Sequence, residues 1–481
     1  MKSLYFFIGS LLLLSACNPR YYVLLKSDQR KELKSKINEH TEFHIRREEE
    51  RLKRMEASKE MLKKPGVKLG DNSKREAEYA IQRLEYDSLA KIALSSGTDT
   101  IIALSLKGAG YQQLPIWLKE FKNLKRLDLS RNKLSEVDLP YLPNLEVLNL
   151  SQNEFEKIPE CIFQMPHLKK VYLFRNKLSK NVKRLRAGES DSIELLDLSR
   201  NKLTRFPAEL KKLKAIKKLD ISGNKIGSLK GVWKIKSLQD LTADENPLFL
   251  HPKDVAELRR LKRFSAAVCQ LNYVPEQIGD AVFLEKLVLT DNRLENLPSS
   301  IGKLQRLQNL TLYKNSLTTV PEEVYTIKSL KWLDLYYNQL TELSAAIGNL
   351  EHLEILYTSY NKLQALPNEI SKLTKLEELY AHNNHLMQVP ASYGSLKALK
   401  VLHLQNNLLT EFPVFVLDLP KLKELNLASN ELKMVPEDLL KLENLNMFFV
   451  EDNLIEKGTE AHEQVKEVMS VLSERRVSTR F

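Results

Sequence analysis

From Leu238 to Leu445 a leucine recurs every 23 residues, and no other feature limits the fold of this chain so tightly. In the stretch Leu399 to Pro413, the residues Leu399, Leu402, Leu404, Asn407 and Leu409 follow L-x-x-L-x-L-x-x-N-x-L, and Phe412-Pro413 closes the unit. One period later stand Leu422, Leu425, Leu427, Asn430 and Leu432; one period earlier stand Leu376, Leu379, Ala381, Asn384 and Leu386. A period of two puts Leu402 and Leu404 on one face of a short strand and Val401, His403 and Gln405 on the other. The Asn407 amide is placed to bond backbone groups of the turn that would otherwise be buried unpaired. Proline then stops the strand and begins the return. A single unit cannot bury its leucines, so neighbouring units must stack.

The first apolar positions of the units are Ile101, Leu124, Leu145, Leu168, Ile193, Ile216 and then the ten regular leucines, which makes sixteen units within residues 98–457. Fourteen units carry asparagine at the turn, from Asn132 to Asn453; Ala109 replaces it in the first unit and Cys269 in the eighth. Many units also hold a proline followed three residues on by a branched apolar residue, as in Pro298 to Ile301 and Pro367 to Ile370. This pattern resembles the leucine-rich repeats, in particular their 23-residue plant-type and Ras-binding-scaffold class. The resemblance implies an α/β-type solenoid: a curved leucine-rich-repeat horseshoe with a parallel concave sheet, short helical or irregular convex turns, and helical caps at both ends. The uneven early spacing, including the charged insert Lys180 to Asp191, is expected to bend or bulge.

Residues 1–16 read as an address. Lys2 precedes an apolar run, Leu4 to Leu14, that is too short to span a bilayer as a helix. Leu14-Ser15-Ala16-Cys17 then resembles the lipobox of bacterial lipoprotein signal peptides. That resemblance implies cleavage before Cys17, lipid on its sulfur, and attachment to the bacterial cell envelope; Asn18 leans towards the outer membrane, on the periplasmic side or at the cell surface. An ordinary secretory signal with an incidental cysteine, or an uncleaved short anchor, remains the alternative. Residues 17–72 form a lipidated N-terminus, charged helical stalk and linker, with opposite charges three or four apart. Ser73 and Glu76 make a capping box for a helix over 73–97 whose apolar stripe is Ala77, Ile81, Leu84 and Ile92. Over 458–481, Thr459 caps a closing helix with the stripe Val465, Val468, Met469 and Leu472, and Glu474 to Phe481 is expected to fray.

Composition removes several functions. The net charge of +12 is spread along the chain, with no recognised module beside it, so no nucleic-acid partner is expected. Three cysteines are too few for a disulfide scaffold, and Cys161 and Cys269 are read as buried thiols. His40 and His44 have no third ligand nearby, and no nucleophile, phosphate-loop or metalloprotease motif occurs. No enzyme, no cofactor and no metal is expected; oligomeric state stays open.

The strand positions that point away from the leucines carry the specific information. Aromatics form 7% of the chain yet crowd into the tenth to fourteenth units. The outward set there is Tyr313, Trp332, Asp334, Tyr336, Tyr337, Tyr357, Tyr360, Tyr380, His382, His403 and Gln405. Adjacent strands lie about 4.8 Å apart, which aligns Tyr357, Tyr380 and His403 in one row and Tyr313, Tyr336 and His382 around another. Exposed Tyr and Trp among a few polar groups suit a protein or peptide ligand, or alternatively a glycan stacked on the same rings. A plain aromatic ladder without ligand is the structural alternative. A second cluster, Asp197, Asp220, Asp240, Asp244 and Glu245, lies beside Arg175, Arg200 and Lys218 and reads as surface charge balance ahead of a calcium site.

Overall fold

The structure is a computed structural model that describes residues 71–95, 97–136, 139–179 and 192–481. Cys17, the signal peptide, the charged stalk and the insert Lys180 to Asp191 lie outside the described residues. The chain divides into two compact units, one up to Asn224 with Lys234–Leu238, the other Lys225–Trp233 with Gln239–Phe481.

In the first unit, helix α1 (Asp71–Ser95) precedes six three-residue strands: β1 (Ala103–Ser105), β2 (Arg126–Asp128), β3 (Val147–Asn149), β4 (Lys170–Tyr172), β5 (Leu195–Asp197) and β6 (Lys218–Asp220). Each pairs in parallel with the next. The second unit holds β7 (Asp240–Thr242), the one-turn helix α2 (Pro252–Val255), β8 (Arg263–Ser265), β9 (Lys286–Val288), β10 (Asn309–Thr311), β11 (Trp332–Asp334) and β12 (Ile355–Tyr357). It continues through β13 (Glu378–Tyr380), β14 (Val401–His403), β15 (Glu424–Asn426), β16 (Met447–Phe449), α3 (Glu460–Glu474) and β17 (Ser478–Arg480), again paired in parallel. Each of the sixteen units read from the sequence contributes one strand, and the repeat leucines on the inner side are buried except Leu104 in the terminal first unit, which is half-buried.

In β2 to β16 the middle residue of each three-residue strand is the buried one, whereas terminal β1 buries its two flanking residues. In β13, Leu379 is fully buried while Glu378 and Tyr380 on either side are half-buried. A 3-10 turn brings the chain back, as in Asn368–Lys372 after Pro367, whose fixed φ suits the residue that leads into the turn. Between strand and return stands the asparagine. Asn407 Nδ2 donates to Leu404 O in its own unit at 2.9 Å and to Ala381 O in the preceding one at 3.0 Å, and its Oδ1 accepts Leu386 N at 3.0 Å. One side chain thus satisfies three buried backbone groups across two units, and the pattern repeats from Asn132 to Asn453. At Cys269 the thiol makes the weaker version, reaching Ala243 O at 3.4 Å and Ala267 O at 3.2 Å.

Three expectations need correction. Leu84 is exposed, at 40%, and α1 buries Tyr86 and Ala90 instead. The helix docks by polar bonds: Tyr86 Oη donates to Lys107 O at 2.9 Å, Gln82 Nε2 to Lys107 O at 3.1 Å, and Arg83 to Ala109 O and Gly110 O. These acceptors belong to the first unit, where Ala109 stands in place of asparagine, so the helix supplies donors to that terminal turn. The tail does not fray. Val477 is buried, Ser478 N donates to Asn446 O at 2.8 Å, Val450 N donates to Arg480 O at 2.9 Å, and β17 completes the edge that β16 would leave unpaired. Finally, Cys269 is buried but Cys161 is half-buried, in the 3-10 turn Glu160–Gln164 where the neighbouring Ile162 and Phe163 take the core positions.

Among the described residues no helix is long and apolar enough to cross a membrane.

Candidate functional site: an aromatic strand face

Strands β10 to β14 place their outward side chains in register. Thr311, Asp334, Tyr357, Tyr380 and His403 occupy one row of Cα partners. Tyr357 and Tyr380 stack with centroids 4.6 Å apart and planes 9° apart, and His403 meets Tyr380 edge-on at 5.0 Å. Trp332 lies 5.2 Å from Tyr357. Two residues beyond that row, Tyr313 and Tyr336 are 5.4 Å apart, and Tyr336 reaches His382 at 5.7 Å across the small, buried Ser359. One residue further, Tyr337 stacks on Tyr360 at 4.3 Å and 11°. His382 and His403, 6.4 Å apart, join the rows, so nine rings form one continuous network. Such pairs contribute roughly 0.5–1.5 kcal/mol each beyond the area they cover.

Backbone conformation aims the outermost rings. The residue before each turn asparagine adopts positive φ, 55° at Tyr337 and 52° at Tyr360. The same left-handed step recurs whatever follows it, as at Val268 before Cys269 with φ 55°, and here bulky aromatics take the strain. Tyr337 is 44% exposed and Tyr360, at the same step, is half-buried.

The polar groups among the rings are perturbed. Burial pushes the Asp334 carboxyl up to about 6, against a single opposing bond from Tyr336 N to its Oδ1 at 3.1 Å. Burial and the nearby His403 push His382 down to about 4. His403 is lowered too, by burial, although Glu424 and Glu378 pull the other way. Ser359 Oγ lies 2.8 Å from His382 Nδ1 and accepts His382 N at 3.1 Å. Glu378 accepts the Tyr380 hydroxyl at 2.9 Å, and Glu424 stands 3.4 Å from His403 Nε2. His382, His403 and Glu378 each have a different partner. Gln405 Oε1 is buried with no hydrogen-bond partner. Glu424 and Asn426 extend the face into the fifteenth unit; reading the same register one unit further along the sequence would have included them.

The acidic residues of the second cluster are engaged within their own turns or with the next repeat. Asp197 and Asp220 are register partners in the first unit, and each Oδ1 accepts the amide and hydroxyl of the serine two residues on. In the second unit, Asp240 pairs with Arg263 at 2.8 Å, Asp244 Oδ1 accepts Ser265 Oγ and Ala267 N, and Glu245 holds the left-handed step at φ 52°. Among the described residues no group of three or more His, Cys, Asp or Glu is arranged to hold a metal ion.

Known proteins agree with this architecture. Residues 322–426 match the leucine-rich repeat region, 284–340 the leucine rich repeat and 122–161 the two-copy leucine rich repeats. The chain carries leucine-rich repeats. A solved leucine-rich-repeat protein of Leptospira interrogans is similar at 26% identity and TM-score 0.63, over 82% of this chain and 98% of that one. A plant peptide hormone receptor, RGFR1 in complex with RGF2, is similar at 26% identity and TM-score 0.53, over 74% of this chain and 64% of its own. A Ras guanine nucleotide exchange factor of Dictyostelium discoideum is 33% identical over 105 residues, which is 18% of this chain and 5% of that protein's length. The leucine-rich-repeat solenoid is therefore the fold, and its strand face is where this chain differs from a bare scaffold.

Proposed function

We propose that the chain is a non-catalytic, membrane-anchored scaffold that binds a protein or peptide on the aromatic strand face of β10 to β14. The observation that carries this reading is the nine-ring network itself, in which rings stay half-exposed and Tyr337 is held outward at a backbone cost. An apolar patch of that kind is expensive to leave in water and is characteristic of a surface that a partner covers. The similar plant receptor was solved with the peptide RGF2, which favours a peptide. A glycan is the second candidate, yet sugars stack on open ring faces, and Tyr357 with Tyr380 and Tyr337 with Tyr360 turn their faces on one another.

The anchor rests on the Leu14-Ser15-Ala16-Cys17 resemblance and places the solenoid at a bacterial envelope membrane, leaning to the outer one. Several acyl chains on one cysteine, at about 0.8 kcal/mol per buried methylene, would make attachment durable.

The double variant Tyr336→Ala with Tyr357→Ala tests the site. Capture of partners from the native host is expected to fail while the denaturation curve keeps its cooperativity; undiminished capture rejects the assignment, and a hit on a glycan array with none among peptides transfers it to sugars. Radioactive palmitate is expected to label the parent and not Cys17→Ala; equal labelling rejects the anchor.

A further inference from the structure

The strand position of Asp334 is occupied by an acid or amide in several repeats, and the comparison between them isolates what is unusual at this one. Asp128, Asn149, Asp197, Asp220 and Asn426 stand at the same strand position, and each side-chain oxygen accepts the backbone N–H two residues on. Asparagine does this as well as aspartate, so the turn needs the oxygen and not the charge. The charge is kept at Asp128, Asp197 and Asp220, and at the latter two a serine hydroxyl two residues on offsets it. At Asp334 that residue is Tyr336, which offers only its N–H. Asp334 also makes no ion pair among the described residues, and the lysines of the adjoining segments pair elsewhere, Lys314 with Asp291 at 2.9 Å and Lys331 with Glu354 at 2.8 Å. The fold therefore carries a half-buried carboxyl whose ionisation it does not use and does not offset.

The walls around it are aromatic. Trp332 and Tyr336 flank Asp334 on its own side of β11, and Tyr357 is its register partner on β12, with Trp332 and Tyr357 5.2 Å apart. Ring faces and edges of this kind hold an alkylammonium or guanidinium group through their quadrupole, and more strongly when water is excluded. The wider face has the same sign. The outward strand positions of β11 to β15 hold Asp334, Glu378 and Glu424 and no lysine or arginine, in a chain whose net charge is +12.

We infer that Asp334, walled by Trp332, Tyr336 and Tyr357, is a socket for the lysine or arginine side chain of a polypeptide partner. This rests on the reading of the aromatic face as a peptide-binding surface and adds to it the chemistry of the ligand. The cation supplies the counter-charge that the fold leaves out, the rings cover its alkyl stem, and Glu378 and Glu424 favour a basic segment along the rest of the strand face. Burial raises the pKa of Asp334 because its charge is poorly solvated, and a bound cation would act in the opposite direction.

The test is selection of a random peptide library on the immobilised full-length chain, in parallel with Asp334→Asn and with Tyr336→Ala/Tyr357→Ala. Asparagine keeps the bond to Tyr336 N, so the fold is retained. Peptides recovered on the parent are expected to be enriched in lysine and arginine, and the enrichment is expected to vanish on Asp334→Asn. In a recovered peptide, replacing the arginine by isosteric neutral citrulline is expected to weaken binding by about tenfold on the parent and by clearly less on Asp334→Asn, where the rings alone attract the cation. Peptides that bind the parent without basic enrichment, or an enrichment that survives Asp334→Asn, overturn the socket while leaving the aromatic face as a binding surface. Recovery no better on the parent than on the double tyrosine variant overturns both.

Discussion

Tyr337 and Tyr360 lie face to face, 4.3 Å between centroids, and both do so from left-handed backbone, at φ 55° and 52°. A residue with a Cβ gives up roughly 1–2 kcal/mol in that conformation, whereas glycine enters it freely. Gly223 takes the equivalent step in another repeat at φ 62°. Two bulky rings at such positions are therefore retained against a local cost.

Tyr337→Gly separates that cost from the ring's use. Loss of the Tyr360 stack, loss of the weaker ring contacts with Tyr313 and Tyr336, and the greater freedom of glycine in the unfolded chain oppose relief of the strain, which offsets most of them. Denaturant titration is expected to place the variant within about 1 kcal/mol of the parent. Tyr380→Gly, in extended strand with its hydroxyl bonded to Glu378, has no strain to relieve and is expected to lose about 2 kcal/mol or more. The reverse order would show that the left-handed step is not strained.

The asparagine ladder gives a second prediction. Asn407→Ala strands Leu404 O, Ala381 O and Leu386 N, all buried, and each unsatisfied group costs about 1–3 kcal/mol. A loss of about 3 kcal/mol or more is expected in chemical denaturation. Cys269→Asn is the converse: an amide replaces long thiol contacts of 3.4 and 3.2 Å, and a gain of about 1 kcal/mol is expected. A destabilised Cys269→Asn would mean that the eighth turn is built around the smaller thiol.

How much of this could be read from the sequence depends on whether a residue's place is set by its own unit. Leu402, Leu404 and Asn407 are, because the period of two and the turn motif fix them locally. Which outward residues become neighbours was equally legible, since a constant interval of 23 fixes the register of Tyr357 on Tyr380. What depends on other units was not. The positive φ of Tyr337 recurs at the same turn position in Arg131, Gln152 and Val268, so no residue type marks it. The strand at Ser478–Arg480 has polar residues with no periodic signal, and it forms only because β16 presents an edge. His403 meets Glu424 from the next repeat, not Glu378.

The titrating groups on the face make opposing contributions to stability. His382, lowered to about 4 by burial, binds its proton in the unfolded chain at pH values where the folded chain refuses it. Its contribution therefore rises with pH between about 4 and the ordinary 6.5 and is constant above. Asp334, raised to about 6, does the opposite: the folded chain keeps a proton that the unfolded chain releases near the ordinary 3.8, so stability falls as pH climbs between those values. Denaturation midpoints measured across this window are expected to rise less steeply in His382→Gln and more steeply in Asp334→Asn. Parallel pH profiles for all three proteins would remove these two groups as the source.

The closing strand provides the last prediction. Beyond backbone pairing with β16, it places the Arg480 guanidinium 4.7 Å from the Phe449 ring and 3.9 Å from Glu451 Oε1, and Val477 inserts into the core beside α3. Deleting residues 476–481 removes that cover and leaves the N–H and C=O groups of Met447–Phe449 as an open edge, with Phe449 beside it. An uncovered parallel edge accepts a strand from another molecule. Light scattering after gel filtration is expected to show concentration-dependent self-association of the truncated chain, at a denaturation midpoint below that of the parent. A milder variant, Arg480→Ala, keeps the backbone bonds and should remain in the parent's association state. If the truncated chain also stays there, β17 contributes stability alone, and the edge of β16 is protected by its own side chains.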